Sequence, residues 1–361
     1  MSPIVTRPRD RQALVGADDS DVPRPAVILA LVCACLGLLW LALAALTLVN
    51  RIVHDRWRRV GARRLPPAGS RREQRLLRRA CVHRNGVGRW RRVATLQALA
   101  EAGHPKAPRL LRRALADPDP EIVAAAVKAL GRLDEDWAAE ALVRALHDER
   151  YPRSRIAAQL ERLAPRAGHL LVPLLSDPDA PVRFWAATLL VRYPGLALDE
   201  LRACARDADP NVRAAAVEAL GASGEPTALP AALALLVDPA WFVRAHACRA
   251  VGALGSPAVA ADVAALLADD WWWVRSAAKD ALRGLGASAA PAVVPLLEHE
   301  DRFARNSAAE VLQDVGFLDA LAARDPGADL LARIYVAGGT RLRDAAERRV
   351  EAFPRPEERA A

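Results

Sequence analysis

The sequence predicts an all-α protein, a right-handed α-solenoid of about eight to nine helix pairs preceded by one transmembrane helix. Three observations carry that expectation. A phrase seen most clearly at Asp207–Gly221, DADPNVRAAAVEALG, recurs along the chain; with Arg213 as reference, its equivalents are Arg92, Val123, Arg153, Arg183, Arg244, Arg275 and Arg305, in steps of 30 or 31 residues. A fixed period in this range marks stacked supersecondary units. The composition, rich in Ala, Leu, Val and Arg and poor in Phe, Tyr and Met, suits close helix packing and offers little to a sheet. Finally, Ala26–Val49 contains no charge and only Thr47 as a polar residue.

Residues 1–25 carry Pro3, Pro8, Pro23 and Pro25 with an acidic cluster at Asp18, Asp19 and Asp21, and are expected to form a disordered extracytoplasmic tail. As a helix, 26–49 would span about 36 Å, enough for a bilayer core of about 30 Å. A cleaved secretory signal would be cut after Ala42-Leu43-Ala44, and a lipoprotein signal would end near Cys35; the apolar run continues past both, which favours a retained transmembrane helix. Arg51, Arg56, Arg58, Arg59, Arg63 and Arg64 follow it, and the preceding tail is neutral. The positive-inside rule then predicts a single-pass protein of the cell membrane, N-terminus outside and repeats in the cytoplasm.

The net charge of +8 is unevenly placed. Residues 51–92 hold fifteen Arg against Asp55 and Glu73, which leaves 93–361 at net −5. A basic juxtamembrane linker is expected at 50–70, ending in the break Pro66-Pro67-Ala68-Gly69-Ser70. Ser70 and Glu73 fit a capping box that starts a basic helix running to about His83. Anionic lipid headgroups are the expected partner near residues 51–84, each basic residue contributing on the order of 1 kcal/mol.

The repeat array is expected over 71–350, with a C-terminal tail at 351–361. Within each unit a shorter first helix, as at Leu229–Leu236 or Pro291–Leu297, leads to a turn at Asp117, Asp177, Asp207, Asp238 or Asp269. The second helix then begins. At Asp209 the N-cap, Pro210 in the first turn and Gly221 as terminator complete the pattern. Pairs of this length cannot bury their apolar faces alone; stacking buries them. Two units depart: Pro152 stands where Val is usual, and the first unit lacks the Asp-Pro turn. After Leu312 the pattern decays, and a degenerate closing pair is expected at 328–336 and 341–352.

The phrases DPDPEIVAAAVKALG (117–131), DPDAPVRFWAATLLV (177–191), DADPNVRAAAVEALG (207–221), DPAWFVRAHACRAVG (238–252) and DDWWWVRSAAKDALR (269–283) resemble the short HEAT repeat, the kind also found in phycobilisome-lyase-type proteins. The resemblance implies the solenoid fold and a binding scaffold. No residue here is tied to chromophore transfer.

Chemistry is not visible. The seven His are scattered, no Gly-rich phosphate loop occurs, and five Cys without regular spacing suggest neither a metal site nor a disulfide framework. Cys204 and Cys248 read as core thiols. No enzyme activity, cofactor or metal is expected. The recurring Asp and Arg, six residues apart in Asp177/Arg183, Asp207/Arg213, Asp238/Arg244 and Asp269/Arg275, read as a structural ladder because every unit repeats them.

Function is therefore sought in positions that vary. Relative to the Arg position, offsets +2, +5 and +9 share one face of the second helix. They place Arg155, Trp185 and His246, then Arg249, then Arg132, Arg162 and Arg192 on a candidate partner-binding surface. Trp241, Trp271 and Trp272 mark a second candidate, an aromatic edge at the turns. The expected function is a membrane-anchored cytosolic scaffold that docks a protein partner, itself a membrane protein or a membrane-associated enzyme. The alternatives are a nucleic-acid-binding HEAT-like protein, disfavoured by the −5 charge of residues 93–361 and by the membrane anchor, and a lyase-like enzyme.

Overall fold

The computed structural model describes residues 70–81, 87–255, 257–325 and 329–338, together with Leu36, Trp40, Leu41, Ala44 and Ala45. The expected transmembrane segment 26–49 lies outside the described residues except at those five positions, all of which are helical. Among the described residues no helix is long and apolar enough to cross a membrane, and no strand occurs. The linker before Ser70, the 1–25 tail, the 341–352 helix and the 351–361 tail also lie outside the described residues.

Helix pairs follow one another along the chain. The first is α1 (Arg71–Cys81) with α2 (Val87–Glu101), then α3 (Ala107–Leu115) with α4 (Pro120–Leu130), and α5 (Asp136–Ala145) with α6 (Arg153–Leu160). Next come α7 (Ala164–Leu171) with α8 (Ala180–Leu190), and α9 (Leu198–Cys204) with α10 (Pro210–Ser223). The last full pairs are α11 (Leu229–Ala234) with α12 (Trp241–Leu254), α13 (Ala260–Ala265) with α14 (Trp272–Leu285), and α15 (Ala290–Val293) with α16 (Arg302–Asp314). Helix α17 (Phe317–Arg324) packs on α16, and residues 329–338 are helical, with Leu331 and Ile334 buried. The helix expected at 328–336 is thus present, and α17 precedes it where the sequence showed only a decaying pattern.

The expected first helix at Leu229–Leu236 is α-helical only to Ala234 and tightens into a 3-10 turn at Leu235–Val237. The same change follows α13 and α15. In these units the tighter turn ends the first helix against the turn that follows, which opens on Asp238, Asp269 and His299 respectively.

Local chemistry explains the second helices. Asp119, Asp209 and Asp301 cap them through their side chains, and Pro follows at the first turn of α4 and α10. Offsets −1, +3, +4, +6 and +7 are buried in α10 and α12, where they supply the core: Val212, Ala216, Val217, Ala219 and Leu220, then Val243, Ala247, Cys248, Ala250 and Val251. Pro152, where Val was usual, is the N-cap of α6, and Tyr151 before it is buried.

Gly221 corrects the sequence reading. It does not end its helix; α10 continues to Ser223, and the left-handed residue that stops it is Gly224 (φ +68°). A Cβ at Gly221 would lie 2.6 Å from the Cα of Ala250 in the next second helix. Gly252 stands in the same relation to Ala281 at 2.8 Å. These glycines let successive second helices pack backbone against backbone. Successive second helices thus form one closely packed layer, and the first helices form the other, here called the outer layer.

At the N-terminus, Ser70 Oγ accepts a hydrogen bond from the Glu73 N–H, as one half of a capping box requires. The Glu73 carboxylate contacts His104 Nε2 at 2.9 Å, and both side chains are about nine-tenths buried. This contact joins α1 to the turn that enters α3.

Candidate functional site

The recurring polar residues are consumed by the stack. Asp207 Oδ1 accepts the backbone N–H of Asp209, which shapes the turn. From the preceding unit, Arg183 donates Nε to Asp207 Oδ2 at 2.7 Å and Nη2 to Oδ1 at 2.9 Å. Its Nη1 also donates to the carbonyl of Asp177 in its own turn, at 2.7 Å. Arg213 repeats this toward Asp238, and Arg244 toward Asp269. Each guanidinium thus joins its own turn to the next. Burial raises the Asp207 carboxyl pKa, but the Arg183 hydrogen bonds, the Asp209 N–H and the charges of Arg183 and Arg213 outweigh it and hold the group below the usual range.

Two histidines, not singled out from the sequence, occupy turn positions of the ladder. Val123 replaces the ladder arginine, and the turn that would receive it carries His147 in place of Asp. His147 Nε2 instead contacts Asp177 of the following turn at 2.8 Å. At the other end, Arg275 meets a turn with His299, whose Nδ1 accepts the Asp301 N–H as an Asp oxygen would. The six-residue offset from Arg153 and Arg305 was the signal that could have found them.

The sequence-predicted partner residues fall into distinct groups. Arg155, Arg162 and Arg192 are exposed, and among the described residues no carboxylate pairs with them. Trp185 is half-buried and meets Phe184 edge-on at 5.1 Å between centroids, about two helical turns before Arg192. Arg132 reaches Glu101 of the preceding pair at 3.4 Å. His246 Nδ1 lies 3.2 Å from Glu218 Oε2, a contact that pulls the Glu218 pKa down against burial, with Arg249 adding to the pull. Arg249 is exposed. The face is therefore open around Arg155, Arg162, Trp185 and Arg192, and partly self-paired at Arg132 and His246.

The aromatic edge lies elsewhere. Turns joining first to second helices form one edge of the array, and turns joining successive pairs form the other. Trp241, Trp271 and Trp272 are on the first edge, whereas Arg132, Arg162 and Arg192 follow the C-termini of second helices on the opposite one. Trp241 stacks on Trp271 of the next unit at 5.4 Å, which uses part of the cluster for packing between units. Trp272 stacks on Trp273 at 3.8 Å, yet Trp271, Trp272 and Trp273 remain 49%, 53% and 51% exposed. Phe303 continues the edge, with the guanidiniums of Arg275 and Arg302 over its ring.

Cys204 and Cys248 are buried, and burial pushes their thiols up to about 11 and about 12. Among the described residues no group of three or more His, Cys, Asp or Glu side chains could hold a metal ion.

Residues 89–161 and 198–283 match the family of HEAT repeats, so the helix pairs of these stretches are HEAT repeats. No curated protein matches the chain. Among solved structures, it is similar to the complex of CpcE and CpcF of phycocyanin lyase from Nostoc sp., at 26% identity over 64% of this chain and 93% of that one, with a TM-score of 0.36. Human deoxyhypusine hydroxylase in complex with glycerol is 18% identical over 75% of this chain and 99% of its own, TM-score 0.30. Kap121p bound to RanGTP is 13% identical over 73% and 36%, TM-score 0.49.

Proposed function

We propose that this HEAT-repeat solenoid is a membrane-tethered scaffold that docks a protein partner on its second-helix face, with no catalytic step of its own. The observation that carries the reading is how its polar residues are divided. Those that recur are spent on the ladder between units, whereas Arg155, Arg162, Trp185 and Arg192 vary and stay open on one face. Arg and Trp are the residue types that dominate protein interfaces. The tether is the uncharged 26–49 segment, followed by arginines that keep the array on the cytoplasmic side. The two buried, weakly acidic thiols described above support a role without nucleophilic chemistry.

In-cell photo-crosslinking tests this directly. A probe at position 192 should give one discrete protein adduct that a probe at the distant position 302 does not give, and Trp185→Ala should reduce it. Absence of any adduct from 155, 162 and 192, in cells where the full chain sits in the membrane fraction, would remove this face as the docking site.

A further inference from the structure

The outer layer of the first two helix pairs carries a charged surface that extends beyond the linker arginines. On α1, Arg71, Arg72, Arg75 and Arg78 are exposed, and the single carboxylate of that helix, Glu73, is buried against His104. On α3, Arg109, Arg112 and Arg113 are exposed, Lys106 precedes them, and the helix contains no acidic residue. These are successive first helices. The Glu73–His104 contact joins the start of one to the entry of the other and takes the single carboxylate of α1 off the surface. Beyond α3 the surface leads to a cleft of about 250 Å³ against α5, lined by Leu115, Ala116, Ala141 and Ala145 together with Arg112, Arg144 and the carboxylate of Asp148.

We propose that this outer basic surface lies against an anionic lipid bilayer and orients the solenoid on the membrane. The proposal rests on the tethered-scaffold reading for where the bilayer is, and on the structure for which surface meets it. The charge is complementary to phosphodiester headgroups, and the patch lies on the first helices of the array, next in sequence after the arginine-rich linker. Orientation follows: with the outer layer of the first pairs on the bilayer, the second-helix face around Trp185 points away from it, available to a partner.

The test reconstitutes the full chain into nanodiscs of phosphatidylcholine alone or mixed with phosphatidylglycerol, and follows arginine modification by phenylglyoxal with mass spectrometry. In mixed discs Arg109, Arg112 and Arg113 should react on the order of fivefold more slowly than in neutral discs, as expected for a basic residue held at an anionic surface. Arg302, on the aromatic edge, should react equally in both. High salt should abolish the difference by screening. Equal rates at Arg109, Arg112 and Arg113 in the two lipids would overturn the proposal. Failure of the chain to enter either disc would instead count against the tether, and vesicle flotation then reads the patch alone. Flotation that requires phosphatidylglycerol and is lost in the exposed-site variant Arg109→Glu/Arg112→Glu/Arg113→Glu supports the proposal, and no flotation on either lipid overturns it. Tight duplex DNA binding lost in that variant, without lipid protection, would reassign the surface to nucleic acid.

Discussion

Arg213 and Asp238, in consecutive units, are joined by two side-by-side hydrogen bonds, Nε to Oδ2 at 2.7 Å and Nη2 to Oδ1 at 2.9 Å. The third arm of the same guanidinium donates to the carbonyls of Asp207 and Ala208 in its own turn. Fork geometry of this kind needs arginine; lysine could supply the charge but not the fixed pair of donors. Because the Asp238 side chain is only 4% exposed, Arg213→Ala strands a buried carboxylate and two carbonyl acceptors. The variant is expected to lose about 2 to 3 kcal/mol of stability, read as a lower urea midpoint, and Arg213→Lys should recover only part of it.

Acid should weaken the ladder. The carboxyls of Asp177 and Asp207 lie below their ordinary values, burial being outweighed by His147 and Arg183 respectively. A carboxyl depressed by folding contributes stability above its unfolded pKa of about 3.9 and loses it as pH falls through the folded value. The thermal midpoint should therefore hold from neutral pH to about 5 and drop below about 4. Asp207→Asn should start lower at neutral pH and show a shallower drop; an unchanged acid profile in that variant would exclude Asp207 as a source.

Two helical glycines should respond in opposite directions. Ala has the higher helix propensity, by about 1 kcal/mol. At Gly221 the new Cβ would press on the Ala250 backbone, so Gly221→Ala is expected to destabilise by about 1 to 3 kcal/mol despite that preference. At Gly284, near the end of α14, nothing lies within 4 Å, and Gly284→Ala should stabilise by about 0.5 kcal/mol. Chemical denaturation of the two variants side by side measures both.

The exposed tryptophans should be separable from the packed one. Trp272→Ala/Trp273→Ala removes rings about half in solvent and should cost no more than about 1 kcal/mol. Trp241→Ala removes the stack on Trp271 and the edge-on contact with Phe242, and should cost more, about 2 kcal/mol. Thermal melts of both variants give the order.

Cys204 and Cys248 should resist alkylation by iodoacetamide at mildly alkaline pH while the chain is folded, because thiols pushed up to about 11 and about 12 hold almost no thiolate there. Both should label rapidly in denaturant, as peptide mapping would show. Fast native labelling of Cys248 would mean that α12 opens locally.

Much of the architecture is legible in the chain because a solenoid is built from nearest-neighbour contacts. A single phrase at Asp207–Gly221 states its period, its N-cap and its buried offsets, and each was recoverable without coordinates. The ladder was legible too, since its Asp and Arg repeat with the period. What escaped were features in which one unit is fitted to the next. Gly221 read as a terminator because glycine often ends helices; only the approach of Ala250 shows that it is a contact residue. Glu73 read as a cap, yet its carboxylate turns to His104, thirty-one residues on.

The candidate surfaces divide the same way. The sequence by itself determined which residues vary, because exposed positions escape the demands of stacking, and it therefore named Trp185, Arg192, Trp271 and Trp272. It also determined that the repeat is helical, because small residues at helical spacing have no alternative use. Only the tertiary structure decided which of these residues share a surface. It put the aromatic edge opposite the C-terminal arginines, spent His246 on Glu218, and set Glu73 of α1 against His104 at the entry to α3. The physical reason is that periodicity specifies a residue's direction within its own unit, whereas its neighbours depend on how one unit lies on the next.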